Sequence, residues 1–210
     1  MNNLIIFLSI STLLIITGCS STCMEYRSAT TAARSEKDLK RAEEWGLKAL
    51  ESNACNPGND ARAPFFLATE IYLPRKEYRK MAEMFTIAEQ SNPYQLLENP
   101  FQIGDTPIET IEEGIAAYRE QEWVKIFNNA IKYYQKEKFS KAKETIEIAM
   151  LVYHEREENY STLAFWHLED NNMEMALNII DRGLQVDDKY SILYQIKADL
   201  SRQNNELVFA

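Results

Sequence analysis

Glycine and proline are scarce in this chain, at six each in 210 residues. That scarcity argues against a β-sandwich with its many turns and makes long helices the expected element. Positive charge is also short: 23 Lys and Arg stand against 32 Asp and Glu, a formal net charge of −9. Nucleic acid is excluded as a partner on that balance, because binding it requires clustered Lys and Arg. Histidine occurs only twice, and H-E-x-x-H, G-x-S-x-G and phosphate-binding glycine loops are missing, so no enzyme is expected. The three cysteines have no C-x-x-C or other metal-ligand spacing, so neither a metal nor a cofactor is expected. No apolar run reaches the roughly 20 residues of a membrane-spanning helix.

What is present begins with an apolar run from Leu4 to Ile16, about the length of a secretory signal core. The preceding Met1-Asn2-Asn3 carries no Lys or Arg. The run closes on Ile16-Thr17-Gly18-Cys19, which resembles the bacterial lipobox, a branched apolar residue and two small ones before a cysteine. The resemblance implies diacylglyceryl transfer to Cys19, removal of residues 1–18 and acylation of the new amine. Several acyl chains hold a protein durably at a membrane, where one chain does so only marginally. The expected place is therefore the cell envelope, lipid-anchored. It is the outer membrane facing the periplasm if the host is Gram-negative, since Ser20 resembles the sorting residue for that destination. In any other host it is the outer face of the plasma membrane.

The mature stretch, 19–210, repeats. Phe139, Ala142, Ile146 and Ala149 are followed 34 residues later by Met173, Ala176, Ile180 and Gly183. Tyr78, Met81, Phe85 and Ala88 precede the Phe139 set by 61. Gaps of 3, 4 and 3 line one face of a helix. Tyr72, Tyr133 and His167 form a second column six residues upstream, and Pro93, His154 and Asp188 a third five residues downstream. A fainter copy reads Leu39, Ala42, Gly46 and Ala49, with Ala33 upstream.

This pattern resembles the tetratricopeptide repeat (TPR), a helix–turn–helix unit of 34 residues, although Met81 departs from the usual alanine. The resemblance implies an all-α solenoid wound as a right-handed superhelix. Its repeats would cover about 23–57, 62–93, 123–156 and 157–190, with a partial one over 191–210. A single hairpin cannot bury its apolar face, so stacking supplies the core. The final Leu207-Val208-Phe209-Ala210 is apolar where such arrays end in a polar cap, and either further repeats or a docking partner is expected there.

Residues 94–122 interrupt the array and carry seven acids against one base, Arg119. Their first half, with Pro100, Gly104 and Pro107, reads as a loop. Thr106-Pro107-Ile108-Glu109 reads as a capped helix start, the helix running to about Arg119, the alternative being that it continues, bent or broken near Glu120, into the first helix of the third repeat. Glu109, Glu112, Glu113, Glu120 and Glu122 read as a solvated face, the alternative being a site for a basic partner or divalent ion.

In the family, the first helix of each pair lines a concave groove that holds a peptide or a partner's helix. Matching positions here are Phe66, Glu70 and Leu73; then Val124, Phe127, Ile131 and Tyr134; then Ser161, Phe165 and Leu168. The Lys, Asn and Arg with which some members grip a C-terminal carboxylate are absent from these positions. Two readings stay open: an apolar groove free for a protein or peptide partner, and a groove covered by the insert. Cys23 and Cys55 fall at neighbouring ends of the degenerate first hairpin and are expected to pair after export, the alternative being two free thiols. The expected function is an envelope scaffold, such as an accessory subunit of an assembly machine. The rival is a glycan-associated lipoprotein using Tyr133, Tyr134 and Trp166.

Overall fold

The computed structural model describes residues 23–208, with side chains to residue 202. The expected signal segment 1–18 and Cys19, the expected lipid attachment site, lie outside the described residues, as do the side chains of the apolar close, 207–210.

Helix α1 (Met24–Thr31) ends in a π-helical turn (Ala32–Glu36) and pairs with α2 (Leu39–Glu51). Helix α3 (Arg62–Phe66) likewise widens into a π-helical turn (Leu67–Tyr72) and pairs with α4 (Tyr78–Ser91). Then come two strands, β1 (Leu96–Ile103) and β2 (Thr106–Thr110), and the long helix α5 (Ile111–Gln135). The second half of α5 pairs with α6 (Phe139–Val152), α7 (Glu157–Glu169) pairs with α8 (Met173–Val186), and α9 (Ser191–Val208) packs on that last pair. The fold is a TPR-like α-solenoid of stacked helix hairpins.

The recurrence in sequence has a backbone counterpart. Lys76, Glu137 and Asn171 each stand two residues before the second helix of their pair, in the left-handed region at φ 58, 58 and 56°. Behind each, the next residue's N–H returns to the carbonyl of the aromatic column: Glu77 to Tyr72 at 3.0 Å, Lys138 to Tyr133 at 2.9 Å, and Asn172 to His167 at 2.8 Å. The left-handed residue's own N–H bonds back to Leu73, Tyr134 or Leu168. Together these are Schellman stops, which satisfy the carbonyls that a helix end leaves bare. Lys37 (φ 60°) holds the same place before α2, so the faint first copy is in register with the others.

The small residues of the repeat are buried because neighbouring helices meet there. A Cβ on Gly46 would lie 2.6 Å from Leu67 Cδ2, and one on Gly183 would lie 2.8 Å from Tyr160 Cγ. The core has two large parts and a small one around Cys23 and Cys55. One large part gathers Leu67, Ile71, Met81, Phe85, Ile111 and Ile115; the other gathers Ile146, Leu163, Ile180 and Leu193. Phe127 packs against both. The leading apolar residue of each copy is less buried than its partners; Phe139 is 44% exposed and meets Tyr134 edge-on at 5.0 Å.

The insert differs from expectation. Its first half is an antiparallel hairpin, not a loop, turning on Gly104 (φ +59°) and Asp105 between the paired Ile103 and Thr106. Glycine at the first of two turn positions suits the twist of the flanking strands. Thr106 and Pro107 therefore belong to β2, and the helix starts four residues later. Thr110 caps it: its hydroxyl accepts from Glu113 N–H at 3.3 Å, and Glu113 Oε2 accepts from Thr110 N–H at 3.0 Å. From Ile111 the helix runs 25 residues without a break. Arg119 holds Glu89 on α4 with two bonds, at 2.6 and 2.9 Å, along the stretch where a bend was the alternative.

Candidate functional site

The first helices of the pairs, α1, α3, α5, α7 and α9, carry the positions expected to line the concave face. The structure divides that face in two.

The half built from the first two pairs is closed. Phe66, expected in the groove, is 2% exposed, with Tyr26 packed edge-on against it at 6.0 Å. Leu73 is half-buried against the first core. The hairpin lies over this region. Leu97 and Ile108 turn inward and are buried, and Phe101 meets Tyr118 of α5 at 5.8 Å. Glu98 accepts from the Tyr26 hydroxyl at 2.7 Å and stands 3.5 Å from the Arg62 guanidinium. Burial, then the Glu98 carboxylate, pushes the Tyr26 phenol far above its ordinary pKa, so it stays a donor. At the hairpin's base, the Gln95 side chain accepts from Ala61 N–H at 2.8 Å and donates to Asp60 at 3.0 Å. Beneath the hairpin remains a cleft of about 130 Å³ bordered by Arg34, Arg62, Phe65, Phe101 and Tyr118. That is below the usual range of small-molecule pockets, roughly 300–1,000 Å³, and nearer the size of a side chain. Its arginines are already engaged: Arg34 by Glu70, and Arg62 by Asp60 at 2.9 and 3.0 Å.

The half built from α5 and α7 is open. Val124 is 40% and Phe165 is 54% exposed. Phe127, Ile131 and Leu168, on the same two helices, are half-buried against the second core. Tyr134 is committed elsewhere: its ring stacks on Trp166 at 4.5 Å and 5°, and its hydroxyl bonds Glu169. Farther along, Leu168, Met173, Ile196 and Leu200 border a second, wider cleft of about 430 Å³ where α9 meets the last pair.

The remaining candidates do not converge. Glu113 caps α5, Glu120 pairs with Arg156, and Glu122 pairs with Lys125 at 2.5 Å, so these acids act singly. Glu157 caps α9 by accepting from Ile192 N–H at 2.8 Å, while Glu158 is exposed. His154 is exposed in the turn after α6. His167 is half-buried, and burial, then the nearby Lys143, lowers its pKa. Cys23 and Cys55 are joined by a disulfide, with Cα atoms 4.5 Å apart. Glu25 stands beside them, but sulfurs bonded to each other offer no thiolate to a metal. Sequence reasoning missed the hairpin and the Glu98 contacts. The available signal was Gly104-Asp105 between two short β-prone runs.

No protein-family model matches the chain, and a search of curated proteins finds no match. Among solved structures the chain is similar to YrrB, described as a TPR protein with an unusual peptide-binding site. The two share 15% identity over 83% of this chain and 90% of that one, with a TM-score of 0.34. A likeness this distant bears on neither site nor function. The fold assignment rests on the recurring hairpins themselves.

Proposed function

We propose that this chain is a scaffold, lipid-anchored through Cys19 in a bacterial envelope, that holds another protein or peptide on the concave face of its helical array. The observation that carries the reading is the exposure of Val124 and Phe165 on consecutive first helices, whose neighbouring apolar positions Phe127, Ile131 and Leu168 are half-buried. Apolar side chains grouped on a surface mark an interaction site, and this spacing suits the apolar face of a helix or an extended apolar segment. The anchor places that face near other envelope components, and an accessory role in an envelope assembly machine follows as the working expectation. A glycan reader is disfavoured, because Trp166 is 4% exposed and one ring face is already covered by Tyr134.

Two measurements test this. Photoreactive residues at Val124 and at Phe165, in cells expressing the full chain, should capture one and the same protein, while the same group at Ile148, exposed on α6, should not. Capture at Ile148 alone, or different proteins at each site, would overturn the groove. Metabolic labelling with a clickable fatty acid should mark the chain and be lost in Cys19→Ala; label retained in that variant would overturn the anchor.

A further inference from the structure

We infer that the β1–β2 hairpin is a strap sitting in a second peptide site. A partner segment with an acidic residue followed three positions later by an aromatic one takes its place. The inference rests on the concave face being a peptide surface, but it concerns the half that Proposed function leaves closed.

Three observations carry it. First, the hairpin and the first two helix pairs meet chiefly through side chains. The backbone of both strands packs along α5, whereas α1 and α3 are reached by Glu98, with Leu97 and Phe101 beside it. Second, two of the reaching residues, Leu97 and Glu98, lie where the ladder is irregular. Leu96 pairs with Thr110 and Phe101 with Ile108, so five steps along β1 answer two along β2. Residues 97–100 thus bulge from the sheet, and lifting them breaks little regular pairing. Third, the walls match the chemistry of what they hold. Tyr26 offers a hydroxyl donor to one carboxylate, with the Arg62 guanidinium, held by Asp60, 3.5 Å from it; aromatic rings Phe65 and Tyr118 stand near Phe101, and the cleft is only partly filled.

The energetics make the strap exchangeable. Glu98 and Arg62 are both more than a third exposed, and a pair so placed contributes little against water. A partner segment can reproduce the burial of Leu97 and the contact of Phe101 with Tyr118, so what favours the hairpin over it is tethering: an attached occupant acts at an effective concentration of the order of millimolar. A free segment therefore binds with its affinity reduced by the fraction of time the site is open.

The test uses the full chain and a fluorescein-labelled synthetic peptide, Leu-Leu-Glu-Asn-Pro-Phe-Gln-Ile, the sequence of β1. Anisotropy should report binding about tenfold tighter to the Glu98→Gln/Phe101→Ala chain than to the unchanged one, as expected if the strap is open roughly a tenth of the time. A peptide carrying the same two changes should not bind. Thermal unfolding and circular dichroism of the variant should match the unchanged chain. If they do not, hydrogen exchange on the unchanged chain decides. Amides 97–103 should lose protection on addition of the peptide, while those of α5 from Ile115 to Ile126 keep theirs. Equal affinity for both chains, no binding to either, or unaltered exchange would overturn the strap. Capture at Val124 and Phe165 would be untouched by that failure, and its loss would leave the peptide result standing.

Discussion

The indole N–H of Trp123, on α5, donates to Oδ1 of Asn159, on α7, at 2.8 Å in the buried seam between the third and fourth pairs. Asn159 is fully buried and passes its own N–H to the Tyr153 carbonyl at 2.9 Å, in the turn that joins those pairs. The Arg156 guanidinium covers the indole at 4.7 Å and pairs with Glu120 one turn earlier on α5. Two consecutive repeats are thereby registered by one polar bond inside an apolar seam. Asn159→Ala leaves the indole N–H without its partner and should cost about 1–3 kcal/mol in urea unfolding. Trp123→Phe in the same background should add less than it does alone, because the bond is already gone. Full additivity would mean the bond does not couple the pairs.

The buried glycines should not accept a methyl group. Gly183→Ala drives a Cβ against Tyr160, and Gly46→Ala drives one against Leu67. Each should destabilise by about 1–3 kcal/mol, the usual cost of overpacking. Gly58→Ala, with nothing within 4 Å, is the matched control and should leave the melting temperature nearly unchanged.

The left-handed stops predict the opposite sign. Glu137 sits at φ 58°, where a side chain costs roughly 1–2 kcal/mol. Glu137→Gly relieves that cost while adding freedom to the unfolded chain, so a net gain of up to about 1 kcal/mol is expected. Glu137→Val should lose stability. Thermal melts of the two variants check both signs.

The cap of α5 titrates. Backbone N–H groups of Glu109 and Thr110 lower the pKa of the Glu113 carboxyl. A carboxyl with a lowered folded pKa stabilises above the ordinary glutamate value of about 4.3 and loses that contribution as pH falls through the folded value. Glu113→Gln should therefore reduce stability at neutral pH and flatten the profile on the acid side. Thr110→Ala should cost about 1 kcal/mol with little change in that slope. An unchanged acid slope in Glu113→Gln would remove the cap from the account.

The Cys23–Cys55 bridge closes the first hairpin over a sequence separation of 32. Replacing both cysteines with serine should cost roughly 3–4 kcal/mol on the chain-entropy model. The loss should fall on the first pair, read as faster hydrogen exchange in α1 and α2 with α7 and α8 unaffected, since distant repeats are coupled only through neighbours.

The array was legible because every repeat faces the same packing problem. Ala142, Ala176, Gly46 and Gly183 are small where helices close on one another, and that need recurs at a fixed spacing whatever the neighbours are. The hairpin was obscured for the opposite reason. Thr106, Pro107 and Glu109 satisfy a helix-start pattern locally, and only the pairing of Ile103 with Thr106 makes them a strand. Phe66 and Phe127 hold equivalent groove positions, six residues before Tyr72 and Tyr133, yet one is sealed and the other only half-buried. Which is which depends on where the hairpin lies.

By itself, the sequence determined the helical pairs, their register and the residues on each face, since periodicity and small-residue spacing are local in cause. Tertiary structure alone decided which part of the concave face meets water. That outcome turns on Leu97 and Ile108 of the hairpin, which join a core that includes Phe66 and Phe85, residues far apart in the chain whose meeting depends on how separate elements pack.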